Sequence, residues 1–173
     1  MELATTLEQA RQGDRQAQGA LLTRFQNVWF RFALAQLHDA DLAADATQET
    51  ALRFLRQLPT YRGQSQLQTW SLGIALNVIR ECRRRRSENL DGTEAQIAAG
   101  GDPTERVELQ DERSRVQSAL KLLSARQREV LLLRYFEDLS TEQTATAMNC
   151  APGTVKATLH QALRALKAKL AAR

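Results

Sequence analysis

Three carboxylates, Asp41, Asp45 and Glu49, follow one another at i, i+4 and i+8, with Gln48 beside the last. On a helix that spacing places them on one face. Clustered carboxylates can hold Mg²⁺ for phosphodiester chemistry, or they can form a polar docking face for a basic partner. One stripe cannot surround a metal, and residues 1–86 contain no second carboxylate motif. The docking face is therefore the expected role. A cationic counterpart lies downstream, where Arg80 and Arg83–Arg86 crowd a helix end. Cations relieve the negative end of a helix dipole by ~0.3–1 kcal/mol each, which accounts for one or two arginines and not five. The remainder suit a phosphate-binding stripe. Beside it the loop Tyr61-Arg62-Gly63-Gln64-Ser65 offers an aromatic ring and polar groups of the kind that hold splayed bases of a single strand.

A third constellation sits near the C-terminus. Residues 140–164 read as a short capped helix, a tight turn at Asn149–Ala151 and a longer helix, the grammar of a helix-turn-helix. With Val155, Leu159, Ala162 and Leu166 inward, Ala157, His160, Gln161 and Arg164 face outward, flanked by Thr154, Thr158 and Lys156. Residues 152–173 contain no Asp or Glu. A helix entering a major groove needs such an acid-free face, because duplex DNA carries one negative charge per ~1.7 Å and its base edges are read by hydrogen bonds.

The chain of 173 residues has a formal net charge of +4, and that small number hides a pattern. Residues 1–86 hold 12 Lys and Arg against 8 Asp and Glu, residues 87–112 hold 1 against 8, and residues 113–173 hold 11 against 4. Two basic blocks flank an acidic one, as expected of two nucleic-acid-facing modules and a connector with another task. The stretch 87–105 contains Gly92, Gly100, Gly101 and Pro103 with few large apolar residues, and reads as a flexible linker. Two small domains, 1–86 and 106–173, are expected on either side. Cys82 and Cys150 form no CxxC, and His38 and His160 lie far apart, so neither a disulfide framework nor a metal site is expected. No apolar run is long enough to span a bilayer and no signal peptide is visible. A cytoplasmic protein without membrane insertion and without a cofactor is the expectation.

The elements that must position these groups are all helical. In the first half the pattern predicts a short helix with Thr5–x–x–Glu8 as a capping box, and a second after Gly13-Asp14 with Leu21, Leu22, Phe25, Val28, Trp29, Phe32 and Ala35 along one stripe. A third runs from Asp39 or Asp41 to about Leu58, stopped by Pro59, and a fourth runs from a Ser65 cap through Trp70 and Ile74 into the arginines. In the second half one helix opens at Asp102-Pro103 and carries Val107, Val116, Leu120 and Leu123. Ser124–x–x–Gln127 caps the next, expected to continue through Tyr135, and Ser140–x–x–Gln143 caps the short helix of the reading motif. The last starts near Pro152. No strand pattern and no internal repeat is found.

In this order the motifs resemble a bacterial sigma factor of the extracytoplasmic-function (ECF) group, the minimal two-domain type. Region 2 is similar to residues 20–86, through Asp45-Ala46-Thr47-Gln48-Glu49 against D-x-x-Q-E, then Tyr61-Arg62-Gly63, then Trp70 to Asn77 against W-L-x-x-I-A-x-N. Region 4 is similar to residues 122–170, from Leu123-Ser124 to Gly153-Thr154-Val155-Lys156. The resemblance implies an all-α fold of a region 2 bundle and a region 4 helix-turn-helix, in a promoter-specificity subunit that is not itself an enzyme. It implies that Asp45, Gln48 and Glu49, with Asp41 on the same stripe, dock on the β′ clamp helices of core RNA polymerase. The loop Tyr61–Ser65, Asn77, Arg80, Arg83 and Arg84 would recognise and open the −10 element. Trp70 is open between a base contact and a core residue. Thr154, Lys156, Ala157, Thr158, His160, Gln161 and Arg164 would read the −35 element, with the β flap alongside, and an anti-sigma factor is an expected partner. Three departures stand out: Ser71 where the family has Leu, Gln143-Thr144-Ala145 where it has E-I-A, and Thr158, Gln161 and Leu163 where arginines are usual. The competing readings are a stand-alone helix-turn-helix regulator, which would need a dimer to read a palindrome, and a Mg²⁺-dependent nuclease.

Overall fold

The computed structural model describes residues 3–89, 116 and 118–171, and among them there is no strand. The chain divides into two compact units, Met1–Thr93 and Glu94–Arg173. The helix start expected at Asp102-Pro103, Val107, and the linker from residue 90 to 105 lie outside the described residues.

The N-terminal unit contains α1 (Leu3–Arg11), α2 (Arg15–Leu37), α3 (Ala40–Gln57) and α4 (Leu67–Asn89), with a 3₁₀ turn, Leu58–Thr60, after α3. Asp14 caps α2 by accepting from the Ala17 N–H at 2.7 Å, and Asp39 caps α3 by accepting from the Leu42 N–H at 3.0 Å. His38 closes α2 in the left-handed region at φ 55°. Two caps differ from expectation. Thr5 lies inside α1, because the helix already runs at Leu3, and Glu8 turns instead to Arg11 at 3.2 Å. Ser65 precedes α4 by one residue too many, so the first bond of the helix runs from the Trp70 N–H to the Gln66 carbonyl at 3.0 Å. The helix also continues through Asn89, past the arginines and into the segment read as linker.

An aromatic chain forms the core of this unit. Trp29 and Phe54 are fully buried, with ring centroids 5.2 Å apart, and Phe25 lies 6.0 Å from each. Phe54 meets Trp70 at 5.5 Å, and Trp70 meets Tyr61 at 5.0 Å, so the cluster reaches from α2 through α3 to the loop before α4. Ser71, the first departure from the family pattern, has its reason here. The buried Trp29 Nε1–H donates to Ser71 Oγ at 3.1 Å, and Ser71 Oγ–H donates in turn to the Gln68 carbonyl at 2.9 Å. A leucine would leave the indole N–H without an acceptor. Ser71→Ala is expected to cost about 1–2 kcal/mol of stability, the scale of one orphaned buried donor, checked by urea unfolding followed through tryptophan fluorescence.

The C-terminal unit contains α5 (Ala125–Leu131), a π-helical turn (Leu132–Phe136), α6 (Thr141–Met148) and α7 (Pro152–Ala171), preceded by helical residues 118–121. Both expected capping boxes form. Ser124 and Ser140 accept from the N–H groups of Gln127 and Gln143, whose side chains accept from the N–H groups of Ser124 and Ser140. The Gln143 part of the second departure is thereby accounted for, since it performs the reciprocal capping that a glutamate would; the buried Thr144 in place of Ile has no structural explanation. The regular helix expected through Tyr135 stops at Leu131. The π-helical turn follows, and Tyr135 within it is 61 % exposed.

Candidate polymerase and nucleic-acid interfaces

The carboxylate stripe forms one wall of a cleft of about 730 Å³ between α3 and α4. Asp41, Asp45 and Gln48 are exposed and Glu49 is partly buried. Leu42, Val78 and Cys82 line the same cleft, and burial pushes the Cys82 thiol pKa up. The residue that organises the stripe does not stand out in the sequence. Arg53 Nε donates to Glu49 Oε1 at 2.6 Å, while its Nη1 and Nη2 donate to Glu81 Oε1 and Oε2 at 2.6 and 2.7 Å. A bidentate, networked pair of this geometry escapes the usual weakness of surface ion pairs. The hydrogen bonds from Arg53 hold the Glu81 carboxyl below its ordinary pKa, and those to Glu81 and Glu49 raise that of Arg53. Glu49 and Arg53 stand at i and i+4, a signal legible in sequence; Glu81, 28 residues further on, is not.

The arginine cluster at the end of α4 divides in two. Arg86 Nη1 turns to Asp39 Oδ2 at 3.4 Å, and Arg85 lines the acidic cleft. Arg84 is exposed, with a long 3.7 Å approach to Glu88, and Arg80 and Arg83 are partly buried. Trp70, Asn77, Arg80 and Arg84 succeed one another at intervals of seven, three and four residues, so α4 carries them along one face. Trp70, for which the sequence allows either role, is half-buried: it packs against Phe54 and Tyr61 and keeps part of its surface open.

The loop feeding α4 differs from expectation at its first residue. Tyr61 is only 8 % exposed, its hydroxyl donates to the Ser65 carbonyl, and burial raises its pKa. From this position Tyr61 shapes the loop from within. Arg62, Gly63 and Gln64 are exposed and Ser65 is partly so. Gly63 has φ 71°, a left-handed backbone that a side chain would strain.

In the reading motif, Asn149 closes α6 in the left-handed region at φ 52°, and the Thr154 N–H donates to the Ala151 carbonyl at 2.9 Å as α7 begins. Val155 and Ala162 are fully buried, whereas Leu159 and Leu166, expected inward, are only partly so. Thr154, Lys156, Ala157, His160, Gln161 and Arg164 are all exposed, and Thr158 is partly buried. The motif is held from behind by a residue that sequence patterning does not single out. Arg128 is 6 % exposed, and its guanidinium donates to the carbonyls of Leu120, Lys121 and Leu123 at 2.9, 3.1 and 3.0 Å. Those carbonyls lie at and just beyond a helix end, where the regular bonding pattern runs out, and the Leu120 carbonyl also accepts from the Leu123 N–H at 3.2 Å. Arg134 likewise donates to the Leu139 carbonyl, fixing the turn before α6.

A helix-turn-helix with an acid-free outer face, together with a second unit that carries arginines along one helix, belongs to the class of helical proteins that grip nucleic acid. Comparison with known proteins narrows that class. Residues 21–88 match the model for Sigma-70 region 2, and residues 113–166 match the model for Sigma-70, region 4. The RNA polymerase sigma-H factor of Pseudomonas aeruginosa is 32 % identical over 172 residues, covering 92 % of this chain and 89 % of that one. The ECF RNA polymerase sigma factor SigL of Mycobacterium tuberculosis is 36 % identical over 155 residues, covering 87 % of each. Among solved structures, the sigma factor RpoE of Bartonella quintana, in complex with the anti-sigma factor NepR, is 26 % identical with a TM-score of 0.73, covering 90 % of this chain and 98 % of that one. CnrH, solved with the cytosolic domain of CnrY, shares the fold at a TM-score of 0.72 and 23 % identity, covering 96 % and 95 %. The chain belongs to the ECF group of the sigma-70 family and is a promoter-specificity subunit of RNA polymerase. Among the described residues no helix is long and apolar enough to cross a membrane.

Proposed function

We propose that the protein recruits core RNA polymerase to promoters by dividing three tasks among the three surfaces. Asp41, Asp45, Gln48 and Glu49 on α3 dock on the β′ clamp helices. Arg62, Gly63, Gln64 and Ser65 with Trp70, Asn77, Arg80, Arg83 and Arg84 capture and open the −10 element, and Tyr61 holds their loop in shape. On α7, Thr154, Lys156, Ala157, Thr158, His160, Gln161 and Arg164 read the −35 element, with the β flap alongside. The observation that carries this reading is α7: six of its seven expected reading residues are exposed, and no carboxylate follows Pro152. Flipping a base from the duplex costs a few kcal/mol, which contacts along the loop and the α4 face would offset. Residues 1–86 and 106–173 then act as the two modules, and the acidic 87–105 segment as a connector threading toward the RNA exit path. The chemistry belongs to polymerase, and the protein works in the cytoplasm. An anti-sigma factor is the expected inhibitor, as NepR accompanies the Bartonella quintana relative.

Reconstitution with core polymerase and in vitro transcription on a promoter library test the whole. Initiation at promoters with two fixed elements is expected. Failure to form a complex with core would overturn the reading. Asp45→Lys is expected to weaken core binding at least tenfold, a loss of about 1.4 kcal/mol, with helicity unchanged because the residue is exposed; titration of labelled core measures it.

A further inference from the structure

We infer that Arg53 is a positioning residue for polymerase docking: by clamping Glu49 from α3 and Glu81 from α4, it presents the Glu49 carboxylate to the partner already ordered. The inference rests on the reading of α3 as the docking face. Arg53 engages its whole guanidinium, Nε on Glu49 Oε1 and both terminal nitrogens on the two oxygens of Glu81. Glu49 is thus tied through one oxygen, and Oε2 remains for a donor from outside. A free glutamate would lose rotamer freedom on docking; one held beforehand does not, so it binds more tightly for the same contact.

The opposing effect is neutralisation, since a guanidinium beside Glu49 reduces its attraction for a cation. Glu81 decides the balance. With two carboxylates and one guanidinium the group keeps a net charge of −1, and Glu49 stays an acceptor on a face that also carries Asp41 and Asp45. Glu81 lies on α4, the helix that bears Asn77, Arg80 and Arg84, so the clamp also fixes the docking face against the helix proposed to grip −10 DNA.

Affinity of the full chain for core polymerase, with melting temperature and helicity measured in parallel, tests the inference. Arg53→Gln is expected to lower affinity roughly fivefold to tenfold, the scale of the freedom lost when one rotamer-rich side chain is immobilised on binding. Glu81→Gln is expected to act in the same direction although it leaves α3 untouched. In the double variant Arg53→Gln/Glu49→Gln the losses should not add, because both remove one presented carboxylate. Arg53→Lys keeps the charge but has no rigid fork to grip both oxygens of Glu81 while a separate nitrogen holds Glu49; it should fold and bind roughly threefold more weakly. Additive losses, unchanged affinity in Arg53→Gln, or wild-type affinity in Arg53→Lys would each overturn the inference; the last does so even where Arg53→Gln fails to fold. Asp45→Lys separates the two claims. If it leaves core binding intact, the docking face itself is wrong; if it weakens binding while the Arg53 variants do not, only the positioning role falls.

Discussion

Replacing Arg128 by alanine is expected to remove more than half of the stability of the C-terminal unit and to weaken −35-dependent transcription. The guanidinium is buried and donates to three carbonyls, those of Leu120, Lys121 and Leu123. A hydrogen bond from a charged group contributes about 1.5–3 kcal/mol, and each buried acceptor left unpaired costs about 1–3 kcal/mol. These terms do not add, but even their lower range gives a loss of about 3 kcal/mol. A domain of this size has only about 5 kcal/mol or so of stability. Arg128→Lys tests the geometry behind the number, because a compact ammonium cannot fan out to three carbonyls as a guanidinium does. It should recover part of the stability and not all. Thermal unfolding of the full chain should show the transition of the C-terminal unit moving down in Arg128→Ala while that of the N-terminal unit stays in place. Coincident shifts in both transitions, or none, would contradict the assignment.

Arg128 also marks where sequence reasoning reaches its limit. The capping boxes at Ser124 and Ser140, the Asp14 and Asp39 caps and the Asn149 stop were legible, because each rests on residues within four positions of one another. The inward face of α2 was legible because burial leaves a period of 3.6. Arg128 was not, since a charged residue between Gln127 and an apolar run reads as solvent-facing until the preceding helix end is seen to lie against it. Glu81 escaped for the same reason, its partner being on another helix. The burial of Tyr61 was not legible, because a tyrosine in a Gly-containing loop suits a nucleic-acid contact and a loop strut equally well, and its 5.0 Å approach to Trp70 appears only in the folded chain. The early end of α5 left no pattern at all. Leu132 and Leu133 read on from Leu131 as more of the same helix, yet they already belong to the π-helical turn.

Ser71 shows the reverse case, in which a departure from a family pattern holds information. A serine within an apolar helix is a weak helix former, yet it is fully buried and accepts from Trp29. The substitution and its partner are readable only as a pair. The same logic applies to Thr158 and Gln161, which stand on α7 where arginines are usual. They remove cations from the outer face without adding an acid, so the electrostatic share of binding falls more heavily on Lys156 and Arg164, the exposed cations that remain in the reading segment.

Lys156→Glu is therefore expected to have the largest effect of any single substitution on the reading helix that leaves the fold intact. The side chain is exposed on α7, one residue beyond the buried Val155. Its replacement changes the local charge by two units and puts a carboxylate on a face that has none. Each phosphate that the protein no longer neutralises lowers the slope of log affinity against log salt by roughly 0.9 for duplex DNA. Holoenzyme carrying the variant should bind a −35 duplex with a slope smaller by about one unit, and more weakly by at least tenfold at low salt, with repulsion from the new carboxylate adding to the absence of the cation. Lys156→Gln should show the same change of slope with a smaller loss, because it removes the cation and adds no anion. Melting temperature and circular dichroism should be unchanged in both variants, which separates them from Arg128→Ala, where binding weakens because the unit is destabilised. An unaltered slope in Lys156→Gln would place Lys156 off the phosphate backbone and turn the reading face of α7 about its axis, toward Thr154 and Thr158.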